Sequence, residues 1–307
     1  MLYWRALGRS EPLPLDKATQ LLVTQQAIPT DRLLFCACLF EYNIEDFGYV
    51  TFQSLGCIPF ESTALTGHEI LVVAAGLLAG GIASLSGFGI GSVLTPLLAA
   101  FVGTKLAVAL VSVPHFTGTA LRFALIREHL DRRVLLTFGI TSALGGLTGA
   151  LLHVWLRSII LGHALGILLV FAGITGITGL AEKMHFGRTA GWIAGALSGV
   201  FGGLVGNQGG IRSAALLGFE VSKESFVATA TAIALLVDVF RMPVYAATQY
   251  QNIAPLWPLM LLATIGVVAG TLVGRPVLRR IPEKLYRVIV SLIILALGVS
   301  MIVRPGT

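Results

Sequence analysis

The chain has 307 residues, 55 % of them hydrophobic and only 12 % charged, with a mean hydropathy of +0.86 and a net charge of +6. Soluble domains carry about 25 % charged residues, so this chain has too little polar surface to cover a globule, and a soluble enzyme or nucleic-acid binder is excluded. The composition reads as an all-α polytopic membrane protein in a lipid bilayer.

Residues 1–68 differ from the rest. They hold seven acids and four bases, so the basic excess belongs to residues 69–307. There it reads as membrane topology rather than as a polyanion site. All three cysteines, Cys36, Cys38 and Cys57, lie in this first segment, and their spacing fits no four-ligand metal pattern. No metal or other cofactor is expected. The longest apolar run, Leu33–Phe40, falls far short of the roughly 20 residues needed to span a bilayer. Residues 1–68 are therefore expected to be either a small extramembrane extension or the product of a start codon placed too early.

From Glu69 the chain alternates apolar runs with short polar hinges. Segments are expected near 70–86, 90–103, 105–126, 133–155, 160–181, 190–206, 209–219, 224–246, 254–274 and 285–304, giving about 8–10 membrane segments. Two of them, 90–103 and 209–219, are too short to cross a core of about 30 Å. Each follows a glycine-rich break. Basic residues in 127–133 (Arg127, Arg132, Arg133), 182–189 (Lys183, Arg188) and 275–284 (Arg275, Arg279, Arg280, Lys284) place those loops in the cytoplasm. The uncharged stretch 247–253 then reads as an outer loop. Both termini fall outside if the short segments cross or form hairpins.

A shift of 119 residues lays the sequence over itself. Residues 76–98 (GLLAGGIASLSGFGIGSVLTPLL) match 195–217 (GALSGVFGGLVGNQGGIRSAALL), with Gly87 over Gly206 and Gly91 over Gly210. The same register puts Arg122 over Arg241, and two further residues bring Gly145 and Gly149 onto Gly266 and Gly270. This predicts two repeats, 69–188 and 189–307. Five segments in each make the repeats inverted, a plan in which substrate binds where helices break near the bilayer midplane.

The breaks are SGFGIG (86–91) and VGNQGG (205–210). A helix restarting after a break presents free N–H groups and the positive end of its dipole, which suits an anion. Candidate substrate-binding residues are therefore Gly87, Phe88, Gly89, Gly91, Gly206, Asn207, Gln208, Gly209 and Gly210. The alternative for the glycines is close helix packing through small residues, and for the Asn207 and Gln208 amides it is satisfying the broken backbone. Arg212 and Arg241 lie in apolar segments, where charge is costly and marks the bundle interior. Asp238, three residues before Arg241, shares its helix face; the two form a structural ion pair, or Arg241 is free as an anion ligand and Asp238 carries protons. His115, at the middle of its span, is a second candidate for proton coupling or a packing residue. Arg122 is ambiguous: it lies near the basic end of its span, where it either simply snorkels or belongs with these interior charges. No ATP-binding or hydrolase motif is present.

These motifs resemble those of the TauE/SafE sulfite exporter family. The resemblance rests on the two glycine-rich stretches at 76–98 and 195–217 and on TGTALRFALIREHLDRR at 117–133; it covers about 69–304. It implies an inner-membrane, multi-pass permease, a secondary transporter rather than an enzyme, moving sulfite, thiosulfate or organosulfonates, and it is compatible with a homo-oligomer. A non-transporting membrane partner or assembly protein is the other reading. Residues 1–68 find no counterpart in the resemblance, Ala215 stands where Pro96 stands in the first repeat, and Arg212 is unusual for the family.

Overall fold

The structure, a computed structural model of the whole chain, describes residues 67–180, 188–217, 222–278 and 282–305. The expectations placed on 1–66, on most of 182–189 and on Arg279 and Arg280 lie outside the described residues. The described residues form ten principal helices and no strand. They are α1 (Gly67–Ser86), α2 (Ile90–Val102), α3 (Thr104–Ile126), α4 (Arg132–Trp155, with a π-helical turn at Leu135–Gly139) and α5 (Ser158–Thr178). Then follow α6 (Arg188–Val205), α7 (Gly209–Leu217), α8 (Lys223–Ile253), α9 (Trp257–Leu278) and α10 (Glu283–Val303).

Six helical stretches among the described residues are long and apolar enough to cross a membrane, one of them (Glu224–Gly274) holding parts of α8 and α9. The chain is a polytopic membrane protein. At 13 and 9 residues, α2 and α7 are only about 20 and 14 Å long. They fold back on the helices before them. The ring of His68 at the start of α1 meets Phe101 at the end of α2, 5.3 Å between centroids. Ala194 near the start of α6 shares a buried cluster with Ala215 and Leu216 at the end of α7. One boundary departs from expectation: 247–253 is not a loop. With no glycine or proline after Pro243, α8 runs on to Ile253 through 31 residues, about 46 Å, well past an apolar core of about 30 Å. Its polar end is helical, and Asn252 donates to Gln249 there.

Glycine seams join the long helices. Gly76 sits against Ala263–Val267 and Gly80 against Val267 and Thr271, so α1 and α9 run parallel. Gly145 sits against Ala196–Val200 and Gly149 against Val200–Leu204, so α4 and α6 do the same. By contrast, α5 and α10 run antiparallel, with Gly166 on Gly298–Ile302 and Gly173 on Ser291–Leu295. So do α3 and α8: Val108 and Ala109 pack with Tyr245, His115 meets Asp238, and Arg122 meets Thr231. In lipid no hydrophobic force pulls helices together, so close backbone approach through small residues supplies the dispersion energy. Many large apolar side chains, among them Leu144, Leu151, Ile167 and Leu272, point outward, where acyl chains can solvate them, while others such as Leu94, Phe138 and Leu165 are buried between the helices.

Candidate functional site

The two hairpin tips meet. Both α1 and α6 stop at a glycine in the left-handed region, Gly87 (φ 78°) and Gly206 (φ 71°), which a side chain would strain. Gly91 lies on the Gly206 carbonyl so closely that a Cβ there would collide with it. Phe88 covers Gly209, Gly89 lies over Ile82, and Gly210 abuts Ala172 of α5. Ser92 Oγ donates to Asn207 Oδ1 at 3.3 Å, tying the start of α2 to the second break. Asn207 Oδ1 also receives the Gly209 N–H at 3.4 Å. Gln208 turns toward α4 and α6, where its Oε1 faces Ser142 Oγ at 3.5 Å and its carbonyl faces Ser198 Oγ.

Each break leaves backbone donors over. The first ladder bond of α2 is Val93 N–H to Gly89, and that of α7 is Arg212 N–H to Gln208. The N–H groups of Ile90, Gly91 and Ser92, and of Gly210 and Ile211, lie ahead of those bonds, at the positive end of each helix.

Side-chain donors are left over as well. Arg212 is 2 % exposed; its Nη2 reaches the Gly87 carbonyl at 3.4 Å, while Nε and Nη1 have no partner among the described residues. Asn207 Nδ2 is likewise buried without a partner. Leaving buried donors unmet costs about 1–3 kcal/mol each, more for a charged one. The arrangement therefore has the chemistry of an anion receptor.

Arg241 is not the free charge that a ligand role required. Its Nε and Nη2 lie 2.8 and 2.7 Å from Asp238 Oδ1, its Nη1 donates to the Gly202 carbonyl at 2.8 Å, and its guanidinium carbon stands 5.9 Å from the Tyr245 ring centre. Tyr245 in turn donates to the Gly203 carbonyl. Asp238 is fully buried, and its other oxygen, Oδ2, accepts from His115 Nδ1 at 2.6 Å. The sequence had singled out His115 and Asp238 separately, and the fold puts them in contact across α3 and α8.

Arg122 does not snorkel. It is 4 % exposed and points inward, donating from Nε to Thr231 Oγ1 at 3.0 Å, from Nη1 to Ala83 at 2.7 Å and from Nη2 to Gly87 at 3.1 Å. The carbonyls at the C-terminal end of α1 draw it in, since a cation is favoured there. Its register with Arg241 was the one sequence signal for this placement. Among the described residues no group of His, Cys, Asp or Glu could hold a metal ion.

No curated protein and no solved structure matches the chain. Residues 72–301 match the family model described as Sulfite exporter TauE/SafE, and with most of the chain covered, including both hairpins and the helices around them, the protein belongs to this family of membrane transporters.

Proposed function

We propose that the protein is a secondary permease of the inner membrane that carries a small sulfur oxyanion or organosulfonate through the meeting point of the two hairpins. The observation that carries this reading is the set of buried donors without acceptors: Arg212 Nε and Nη1 and Asn207 Nδ2, beside two helix N-termini. Gly87, Phe88, Gly89 and Gly91 form one wall of the site, and Gly206, Gln208, Gly209 and Gly210 the other. Arg241 orders the second wall rather than touching substrate. His115 and Asp238 form the proton-coupling pair, because a histidine held by a buried carboxylate can change charge during transport.

In this reading the repeats 69–188 and 189–307 are inverted. Supporting this, the corresponding helices α3 and α8 run antiparallel, as do α5 and α10, while α1·α9 and α6·α4 are equivalent pairings. Residues 1–68 form an extension that transport does not need.

Uptake of labelled sulfite and thiosulfate into proteoliposomes tests the reading. Arg212→Gln, inserted normally, is expected to bind substrate about tenfold to a hundredfold more weakly, the loss of one charge-assisted bond of roughly 1.5–3 kcal/mol. Wild-type protein that moves neither anion would instead favour a non-transporting membrane partner.

A further inference from the structure

We propose that the site is built for a doubly charged anion, and that Arg122 supplies its second positive charge. This rests on the anion-permease reading above. Four charged side chains are buried among the described residues: Arg122, Arg212, Arg241 and Asp238. The one carboxylate is committed, with Arg241 on Oδ1 and His115 on Oδ2. At the place in α3 that corresponds to Asp238 stands Thr119, also three residues before its arginine, buried and with its hydroxyl unpartnered. Among the described residues Arg122 therefore has only neutral hydrogen-bond partners: two carbonyls and a hydroxyl.

Arg212 has less. Its one acceptor among the described residues is the Gly87 carbonyl, the same oxygen that Arg122 Nη2 uses. Two guanidiniums thus flank one carbonyl oxygen, which carries only a partial negative charge. Like charges brought together out of water repel, and each retains most of its desolvation cost. The helix N-termini at both breaks add partial positive charge. A monoanion answers one guanidinium and leaves the other; a dianion answers both. The site should therefore select by charge between anions of similar size.

Sulfoacetate and isethionate make the comparison, since both are two-carbon sulfonates and differ by a carboxylate against a hydroxyl. Binding of each to the purified full chain is measured by calorimetry at one pH and salt concentration. Wild-type protein is expected to bind sulfoacetate at least about tenfold more tightly, the worth of one extra charge-assisted bond. Arg122→Gln should lose most of that ratio by weakening sulfoacetate alone. Thr119→Asp, which keeps the arginine and its bonds to α1 but supplies the missing carboxylate, should do the same. Equal binding of the two ligands by the wild type, or binding of neither, overturns the two-charge site. An unchanged ratio in whichever variant folds does so too. Sulfite uptake without charge preference refutes this inference and leaves the permease reading standing; charge-selective binding without uptake does the reverse.

Discussion

Arg122 and Arg241 make the same bond at equivalent places. Each donates Nη1 to the carbonyl four residues before a left-handed glycine, Ala83 before Gly87 and Gly202 before Gly206, at 2.7 and 2.8 Å. Each thereby sets a cation at the C-terminal end of a helix that stops inside the bundle, on a carbonyl that also accepts the N–H of that glycine, at 3.0 Å for Gly87 and 3.1 Å for Gly206. The two arginines differ in what else they hold. Arg241 has a carboxylate, whereas Arg122 has a hydroxyl and a second carbonyl.

Removing the carboxylate should therefore damage the fold more than removing the pair. Asp238→Asn leaves Arg241 buried without its counter-charge, and a loss of about 3–5 kcal/mol is expected. The double change Asp238→Asn with Arg241→Gln should recover part of it. Thermal unfolding of the purified variants reads both, and a strictly additive double variant would contradict the coupling.

His115→Gln should separate binding from drive. The variant can still hydrogen-bond Asp238 but cannot take up a proton, so substrate should bind within about twofold of wild type. Concentrative uptake driven by a pH gradient should be lost, while counterflow exchange persists. Uptake that still follows the pH gradient would remove His115 from the coupling step.

Close packing at Gly91 leaves no room for a methyl group. Gly91→Ala would drive a Cβ into the Gly206 carbonyl, whereas nothing lies within 4 Å of a Cβ at Gly67. The first substitution should cost about 1–3 kcal/mol as overpacking and impair transport; Gly67→Ala should do neither. Thermal stability and uptake, measured side by side, check this.

Topology is open to a labelling experiment. Single cysteines at Glu128 and Lys284, in the basic loop ends, should react with an impermeant maleimide only from the cytoplasmic side. A cysteine at Tyr250, on the exposed polar end of α8, should react only from outside. Labelling of Glu128 and Lys284 positions from opposite faces would rule out the inverted arrangement.

Much of the architecture was legible in the one-dimensional pattern. In a bilayer, backbone must satisfy itself, so apolar runs become helices and their interruptions are conspicuous. Hence the ten segments, the breaks at 86–91 and 205–210 and the short α2 and α7 could be read from glycine and polarity alone. The end of α8 could not: in 247–253 polarity imitates a loop, although no residue there breaks a helix. The partners of the buried charges lay further beyond reach. Arg122, Arg212 and Arg241 are equally costly in an apolar sequence, yet one holds carbonyls, one keeps open donors and one is neutralised. That difference arises between residues such as His115 and Asp238, or Arg212 and Gly87, more than 100 positions apart. Only the packing of α3 on α8, and of one hairpin tip on the other, decides which charges meet, because Coulomb and hydrogen-bond energies depend on distances that sequence spacing does not contain.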